Sequence, residues 1–376
     1  MQKNTVIGMD AKRIVRNATG LGNYGRTLVN DLAGAVGDDW LLRLYAPDKG
    51  RDDLRTKVAD STRVVWTYPQ TTFGFQKSLW RMGQGMVSDM QRDGVQLYHG
   101  LTGELPWGLR QAGIRSVVTI HDVIFLRHPE YYHWTDTKIY AWKFRHACRE
   151  ADRIIAISER TRQDVIELGG VAAEKIDVIY QSCSPTFRQR LHEDELAAVR
   201  HQLGLTGRIM LSVGTIERRK NLLLAVKALE RLPQDVHLVA VGRQTDYVKE
   251  LPRNNARLHL LSGISDQQLQ ALYQLADVFV YPSRYEGFGI PVMEAIHSGL
   301  PVVACKGSCL EEAGGPDCLY VDADDVEDMA RAVSCSLRGA EGREERIQRS
   351  REYVKRFEGQ DVARQVLSVY EKVLSL

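Results

Sequence analysis

Two acids, Glu286 and Glu294, bracket the string Gly287-Phe288-Gly289-Ile290-Pro291-Val292-Met293, directly after the apolar run Asp277–Tyr281. The spacing puts the first carboxylate on a tight loop and the second on the helix that should follow, where Pro291 suits the first turn. Uncapped amide donors at such a helix start suit a phosphate, and carboxylates suit the hydroxyls of a sugar or ribose. Together they describe a nucleotide-sugar pocket. The plainer reading, two solvated acids near a helix amino terminus, sits poorly with so apolar a neighbourhood. Upstream, the run Ile209–Val213 leads into Gly214-Thr215-Ile216-Glu217-Arg218-Arg219-Lys220-Asn221 and then the helical stretch Leu222–Leu232. Three consecutive cations repel one another unless something anionic gathers them, and a diphosphate leaving group would do so. A solvated charge run is the alternative.

Weaker signals lie in the first half. Gly20-Leu21-Gly22-Asn23-Tyr24 precedes a helical stretch, and its glycines would let backbone approach a phosphate or sugar. Gly25 completes a dinucleotide-like spacing, but the ten residues between Met9 and Gly20 are too many for a tight Rossmann turn. The run Val118-Thr119-Ile120 ends in His121-Asp122. An imidazole there can donate to a substrate hydroxyl or be satisfied by backbone. His99, after Val95–Tyr98, has the same placement.

Thirteen short β-branched runs alternate with helical stretches. The first series is Thr5–Met9, Leu42–Ala46, Arg63–Thr67, Val95–His99, Ser116–Ile120, Arg153–Ile157 and Ile176–Tyr180. The second is Ile209–Val213, Val236–Val241, Arg257–Leu261, Asp277–Tyr281, Pro301–Ala304 and Leu319–Val321. This alternation argues for doubly wound parallel sheets, and seven plus six strands exceed one comfortable sheet. A length of 376 residues also suits two cores. The division is expected between Gln181 and Leu205, giving domains 1–185 and 186–357. Apolar positions 362, 366, 369, 370, 373 and 374 predict a closing amphipathic helix. The densely charged Arg343–Arg356 before it is broken at Phe357-Glu358-Gly359.

A net charge of +2 gives no case for broad nucleic-acid binding. No apolar window is long enough to span a membrane, and the amino terminus has no signal-peptide pattern, so a cytoplasmic protein is expected. Six cysteines without a C-x-x-C pair read as buried reduced thiols rather than a zinc site or disulfide framework.

In order, these residues resemble the retaining glycosyltransferases of family four, which have the GT-B fold. The resemblance rests on Gly20–Tyr24, His99-Gly100-Leu101-Thr102, Thr119–Asp122, Ile157-Ser158-Glu159-Arg160-Thr161, Gly214–Asn221 and Pro282–Ala295, the last highly specific. It implies an α/β chain of two Rossmann-like domains facing across a cleft, with helix 358–376 crossing back to the first domain. It implies that Glu294 holds the nucleotide ribose and that Glu286 sits beside the transferred sugar. The amides of Gly287, Phe288, Gly289 and Ile290 would reach sugar hydroxyls and phosphate, with Lys220 and Arg219 neutralising the diphosphate. Gly22 would let a loop close on the donor, His121 would touch the sugar, and His99 is a weaker acceptor-side candidate. Many members carry an arginine directly after the glycine matching Gly214; here Thr215 stands there, leaving Arg218 and Arg219 as rival substitutes.

With no carboxylate placed as a covalent nucleophile, front-face displacement with retention is expected, without cofactor or metal. The blocks look most like bacterial transferases that extend surface polysaccharides, which favours mannose from GDP-mannose; a UDP-hexose or dTDP-rhamnose are the alternatives. The acceptor would be a glycan or lipid-linked glycan at the inner membrane. A peripheral membrane contact would use Arg81, Arg92, Lys143 and Arg145 near Trp80, Trp142 and Phe144, unless these merely form a solvated face. Two other classes compete: a dinucleotide-dependent oxidoreductase, which rests only on Gly20–Gly25 and the sheet pattern, and a non-catalytic nucleotide-sugar sensor. A glycoside hydrolase would need both acids to face one bond, and Glu294 on a helix start faces a ribose better.

Overall fold

A computed structural model describes residues 5–71, 73–252, 255–357 and 359–376. The break expected at Phe357-Glu358-Gly359 lies partly outside these residues. The thirteen strands are β1 (Thr5–Asp10), β2 (Trp40–Tyr45), β3 (Val64–Thr67), β4 (Leu97–Gly100), β5 (Arg115–Ile120), β6 (Arg153–Ala156) and β7 (Ile176–Val178), then β8 (Arg208–Val213), β9 (Val236–Val241), β10 (Leu258–Leu261), β11 (Val278–Tyr281), β12 (Val302–Cys305) and β13 (Leu319–Val321). They match the thirteen runs read from sequence. The near-continuous apolar residues of β1, β8 and β11 are those of strands covered on both faces.

Every pairing is parallel, in one sheet ordered β3-β2-β1-β4-β5-β6-β7 and a second ordered β10-β9-β8-β11-β12-β13. In both, the order reverses beside the first strand, between β1 and β4 and between β8 and β11. Ligands of open parallel sheets sit beyond the carboxyl ends of the strands at such a reversal.

The chain forms two compact units, Met1–Ser182 with Gly359–Leu376, and Cys183–Glu358. The helix Gly359–Leu374 belongs to the first unit: Val362, Val366, Val369, Tyr370 and Val373 share a core with Leu28, Val29 and Leu32 of the helix Gly20–Ala35. The apolar spacing of the closing helix explains its docking.

Two sequence expectations need correction. Five cysteines are buried, but Cys335 is exposed. In the expected membrane-facing set, Trp80, Arg81 and Phe144 are buried. Trp80 and Phe144 pack into the first unit's core, while Arg81 Nη2 lies 2.5 Å from Glu104 Oε2 and Lys143 Nζ 2.7 Å from Oε1 of the same carboxylate. Arg92 is exposed but paired with Asp89. The exposed large apolar side chains nearby are Phe73, Phe75, Leu79, Trp134, Ile139, Tyr140 and Trp142.

Candidate active site

The second sheet's reversal gathers charge. The end of β8 turns at Gly214, and a Cβ on Gly242, at the end of β9, would collide with the Gly214 carbonyl, so the two loops approach as only glycine allows. A single 3-10 turn, Arg218–Lys220, follows, ended by Asn221 in the left-handed conformation (φ 53°) with its amide held by the Ala323 carbonyl at 2.9 Å. This turn sorts the three cations. Arg218 points outward, 70% exposed, to Glu250 at 2.7 Å. Arg219 and Lys220 turn inward to Glu286, at 2.9 and 2.5 Å, where all three side chains are 12–17% exposed. Of the rival substitutes Arg218 and Arg219, only Arg219 joins the buried cluster.

Arg219 also donates to the Tyr285 carbonyl and to Glu217, both at 2.7 Å. Lys220 Nζ donates to the Tyr281 hydroxyl at 2.6 Å and lies over that ring, 4.8 Å from its centroid. Burial alone would raise the Glu286 carboxyl, but Lys220 and Arg219 outweigh it and hold it down at about 2. Burial likewise opposes the charge on Lys220, and Glu286 overrides it to raise the pKa. One carboxylate is thus locked ionised between two locked cations. Of the three, Lys220 also lines a small cavity, with Gly214, Thr215, Tyr281 and Ser283.

Glu294 lies on the helix Ile290–Ser298, as expected, in a different environment. No cation pairs with it among the described residues. Its Oε2 accepts from the Tyr273 hydroxyl at 2.8 Å, and burial pushes its pKa up to about 7 despite that bond. Phe288, in the expected donor-binding string, turns its ring into the protein, edge-on to Phe357 at 5.5 Å, so only its backbone remains for a ligand. Gly289 packs against Ala313 and Leu310, where a Cβ would fit only tightly, at 3.0 and 3.1 Å. The Cys309 thiol donates to the carbonyls of Glu286 and Phe288, at 3.1 and 2.6 Å, fixing the loop between the two acids.

In the first unit, the histidines have a structural explanation that strand-end placement did not reveal. His99 is wholly buried, with Nδ1 2.6 Å from the Tyr370 hydroxyl and Nε2 2.8 Å from Thr119 Oγ1, and burial lowers its pKa to about 3. It ties β4 and β5 to the closing helix and cannot meet an acceptor, which corrects that expectation. His121 donates through Nε2 to the Leu101 carbonyl and accepts at Nδ1 from Gln181, both at 2.8 Å. It is neutral, with its pKa lowered to about 4 by burial. A sugar hydroxyl would have to displace Gln181 to reach it. Gly22 is buried, and a Cβ there would collide with the Asn17 carbonyl, so its local packing already demands glycine.

Tyr281, Tyr273, Ser283 and Cys309 were not singled out by sequence reasoning. A tyrosine closing an apolar strand was a usable signal for Tyr281. Tyr273 sits at a core-facing helical position, where nothing in the pattern marks its hydroxyl.

Comparison with known proteins agrees with this geometry. Residues 20–185 match the family described as Glycosyltransferase Family 4, and residues 195–353 match Glycosyl transferases group 1. The O-antigen chain mannosyltransferase B of Escherichia coli is 30% identical over 287 residues, covering 73% of this chain and 74% of that protein. The O-antigen chain mannosyltransferase RfbU of Salmonella typhimurium is 26% identical over 251 residues, covering 65% of each. Among solved structures, sucrose-phosphate synthase from Thermosynechococcus elongatus superposes with a TM-score of 0.80 at 21% identity, over 99% of this chain and 100% of that one. The chain belongs to the family-four glycosyltransferases and has their GT-B fold.

Proposed function

We propose that this glycosyltransferase moves a mannosyl group from GDP-mannose to a glycan or lipid-linked glycan acceptor during O-antigen-type surface polysaccharide synthesis, with retention and without a metal ion. The observation that carries the reading is the buried Lys220–Glu286–Arg219 cluster beside a cavity at the sheet reversal. Two cations held ionised in a poorly hydrated place suit a diphosphate, because their field there is worth more than in water. They would do the neutralising that a divalent ion does elsewhere. Glu294, carrying one hydroxyl donor and no cation, suits a ribose diol. The mannosyl choice rests on the two similar mannosyltransferases; a UDP-hexose or dTDP-rhamnose is the alternative.

In this reading the diphosphate enters the cavity and takes Lys220 and Arg219 as partners, while Glu286 is left to accept hydroxyl bonds from the sugar. The bond between the anomeric carbon and the diphosphate oxygen breaks as the acceptor oxygen attacks the same face. The acceptor's proton passes to the departing diphosphate oxygen, and the cations stabilise that oxygen's charge. Every atom is accounted for without a covalent enzyme intermediate. A peripheral membrane contact, if the acceptor is lipid-linked, is assigned to the exposed Phe75, Leu79, Trp134 and Trp142.

Thermal stabilisation across GDP-mannose, UDP-glucose and dTDP-rhamnose tests the donor, followed by product analysis with the stabilising donor. Stabilisation by GDP-mannose and an α-linked product unaffected by EDTA are expected. An inverted anomer would sink the mechanism, and no response to any nucleotide sugar would sink the reading.

A further inference from the structure

The helix Ile290–Ser298 ends at Gly299, and two guanidinium groups from distant segments converge on that end. Arg190 comes from the stretch after the 3-10 turn Pro185–Arg188, and its Nη1 donates to the Ser298 carbonyl at 3.1 Å. Arg351 comes from the helix Arg343–Val354, and its Nε donates to the Ile296 carbonyl at 3.4 Å. Their free Nη2 atoms meet over Gly299: a Cβ there would lie 2.5 Å from Arg351 Nη2 and 3.1 Å from Arg190 Nη2. His297, half-buried in the same turn, makes no hydrogen bond among the described residues.

Cations at a helix carboxyl end are favourable, and one would satisfy that electrostatic need. Two guanidinium groups and an imidazole there are another matter, because neither Arg190 nor Arg351 has a carboxylate partner among the described residues. The crowding is felt: burial and then Arg190 lower the Arg351 pKa, and burial with Arg188 and Arg351 brings His297 down to about 4. Lys220 and Arg219 of this unit are answered by Glu286. Here the acid that bears on Arg351 is Glu344, which opposes the lowering but is ion-paired with Arg343 and makes no ion pair with either guanidinium among the described residues.

We propose that Arg190, Arg351 and His297 form a second anion site, built for a phosphate group. Three donors from three segments match the three free oxygens of a phosphate better than the two of a carboxylate, and arginine forks suit such oxygens. The site lies about 15 Å along the helix from Gly289, so it is separate from the diphosphate cavity and does not depend on the donor proposed above. A bound phosphate would clasp the Arg190 segment, the end of the Glu294 helix and the Arg351 helix together.

Calorimetric titration of the full chain with inorganic phosphate tests this, using wild type, Arg190→Gln, Arg351→Gln and Lys220→Ala. One phosphate event should survive Lys220→Ala and weaken by about tenfold or more in each arginine variant. In wild type, the His297 pKa followed by NMR should rise when phosphate is added. Arg190 is exposed, so its variant should fold even if Arg351→Gln does not. Repeating the titration with glycerol 3-phosphate separates a free ion from an ester, and tighter binding of either carries the proposal. No event in wild type, or an event lost in Lys220→Ala and kept in Arg190→Gln, would overturn it.

Discussion

The two sheets end in opposite kinds of polar network. Beyond the first, His99, His121, Tyr24, Thr119, Tyr370 and Gln181 form a neutral web in which the imidazole nitrogens are already occupied. Beyond the second, Glu286, Lys220 and Arg219 keep full charges in a place that penalises them. A satisfied neutral network rigidifies a fold at little cost. A buried ion cluster seldom adds stability over apolar packing, so its presence asks for another purpose. The difference teaches that a polar residue at a strand end is informative for function when it keeps its charge against burial.

Breaking each network should therefore give different losses. Lys220→Ala should lower kcat by about 10²–10³-fold, the usual cost of one electrostatic stabiliser, assayed per folded molecule with calorimetry as the control. His99→Ala should instead leave the buried Tyr370 hydroxyl unpaired, reduce Thr119 to its bond with Tyr24 and open a void, costing about 2–4 kcal/mol in denaturant unfolding, with kcat per folded molecule unchanged. Loss of activity without loss of stability in that variant would erase the contrast.

Acid sharpens it further. His99 and His121 have folded pKa values of about 3 and 4, below the unfolded value near 6.5. The unfolded chain thus binds more protons as pH falls below 6.5, and these histidines withdraw stability down to about pH 3. Glu286, held at about 2, contributes stability above its unfolded pKa near 4.5 and loses it only as pH falls toward 2. Hydrogen exchange at pH 5 should accordingly show the first unit loosening before the Glu286 loop.

Tyr273→Phe should act more gently. Glu294 titrates at about 7, and the Tyr273 hydroxyl favours its charged form. If the ribose is bound by the carboxylate, kcat/KM for the donor rises with pH through about 7, and removing the hydroxyl moves that rise upward. An unmoved profile would remove Glu294 from the ribose. Smallest of all, Arg218→Ala should change kcat by less than about twofold, since its pairing with Glu250 is exposed.

Most of the scaffold was legible because buried parallel strands write themselves as apolar β-branched runs, and the closing helix as a three-to-four spacing. The two glutamates and the inward Lys220 were legible because cations and acids in apolar surroundings need partners. What sequence hid was partnership at long range. His99 is answered by Tyr370, 271 residues away, and a strand-end histidine looks the same whether it faces substrate or a tyrosine. Arg218 and Arg219 differ only by which way one 3-10 turn points them. The Arg190–Arg351 convergence was equally invisible, because it joins a linker to a helix more than 150 residues on.

The central claim is that the Lys220–Glu286–Arg219 cluster is the diphosphate seat. Calorimetric titration of GDP into wild type, Lys220→Ala and Arg218→Ala addresses it most directly. The account predicts that Lys220→Ala weakens GDP by about tenfold or more while Arg218→Ala stays within about twofold of wild type. Equal affinity in wild type and Lys220→Ala would contradict it.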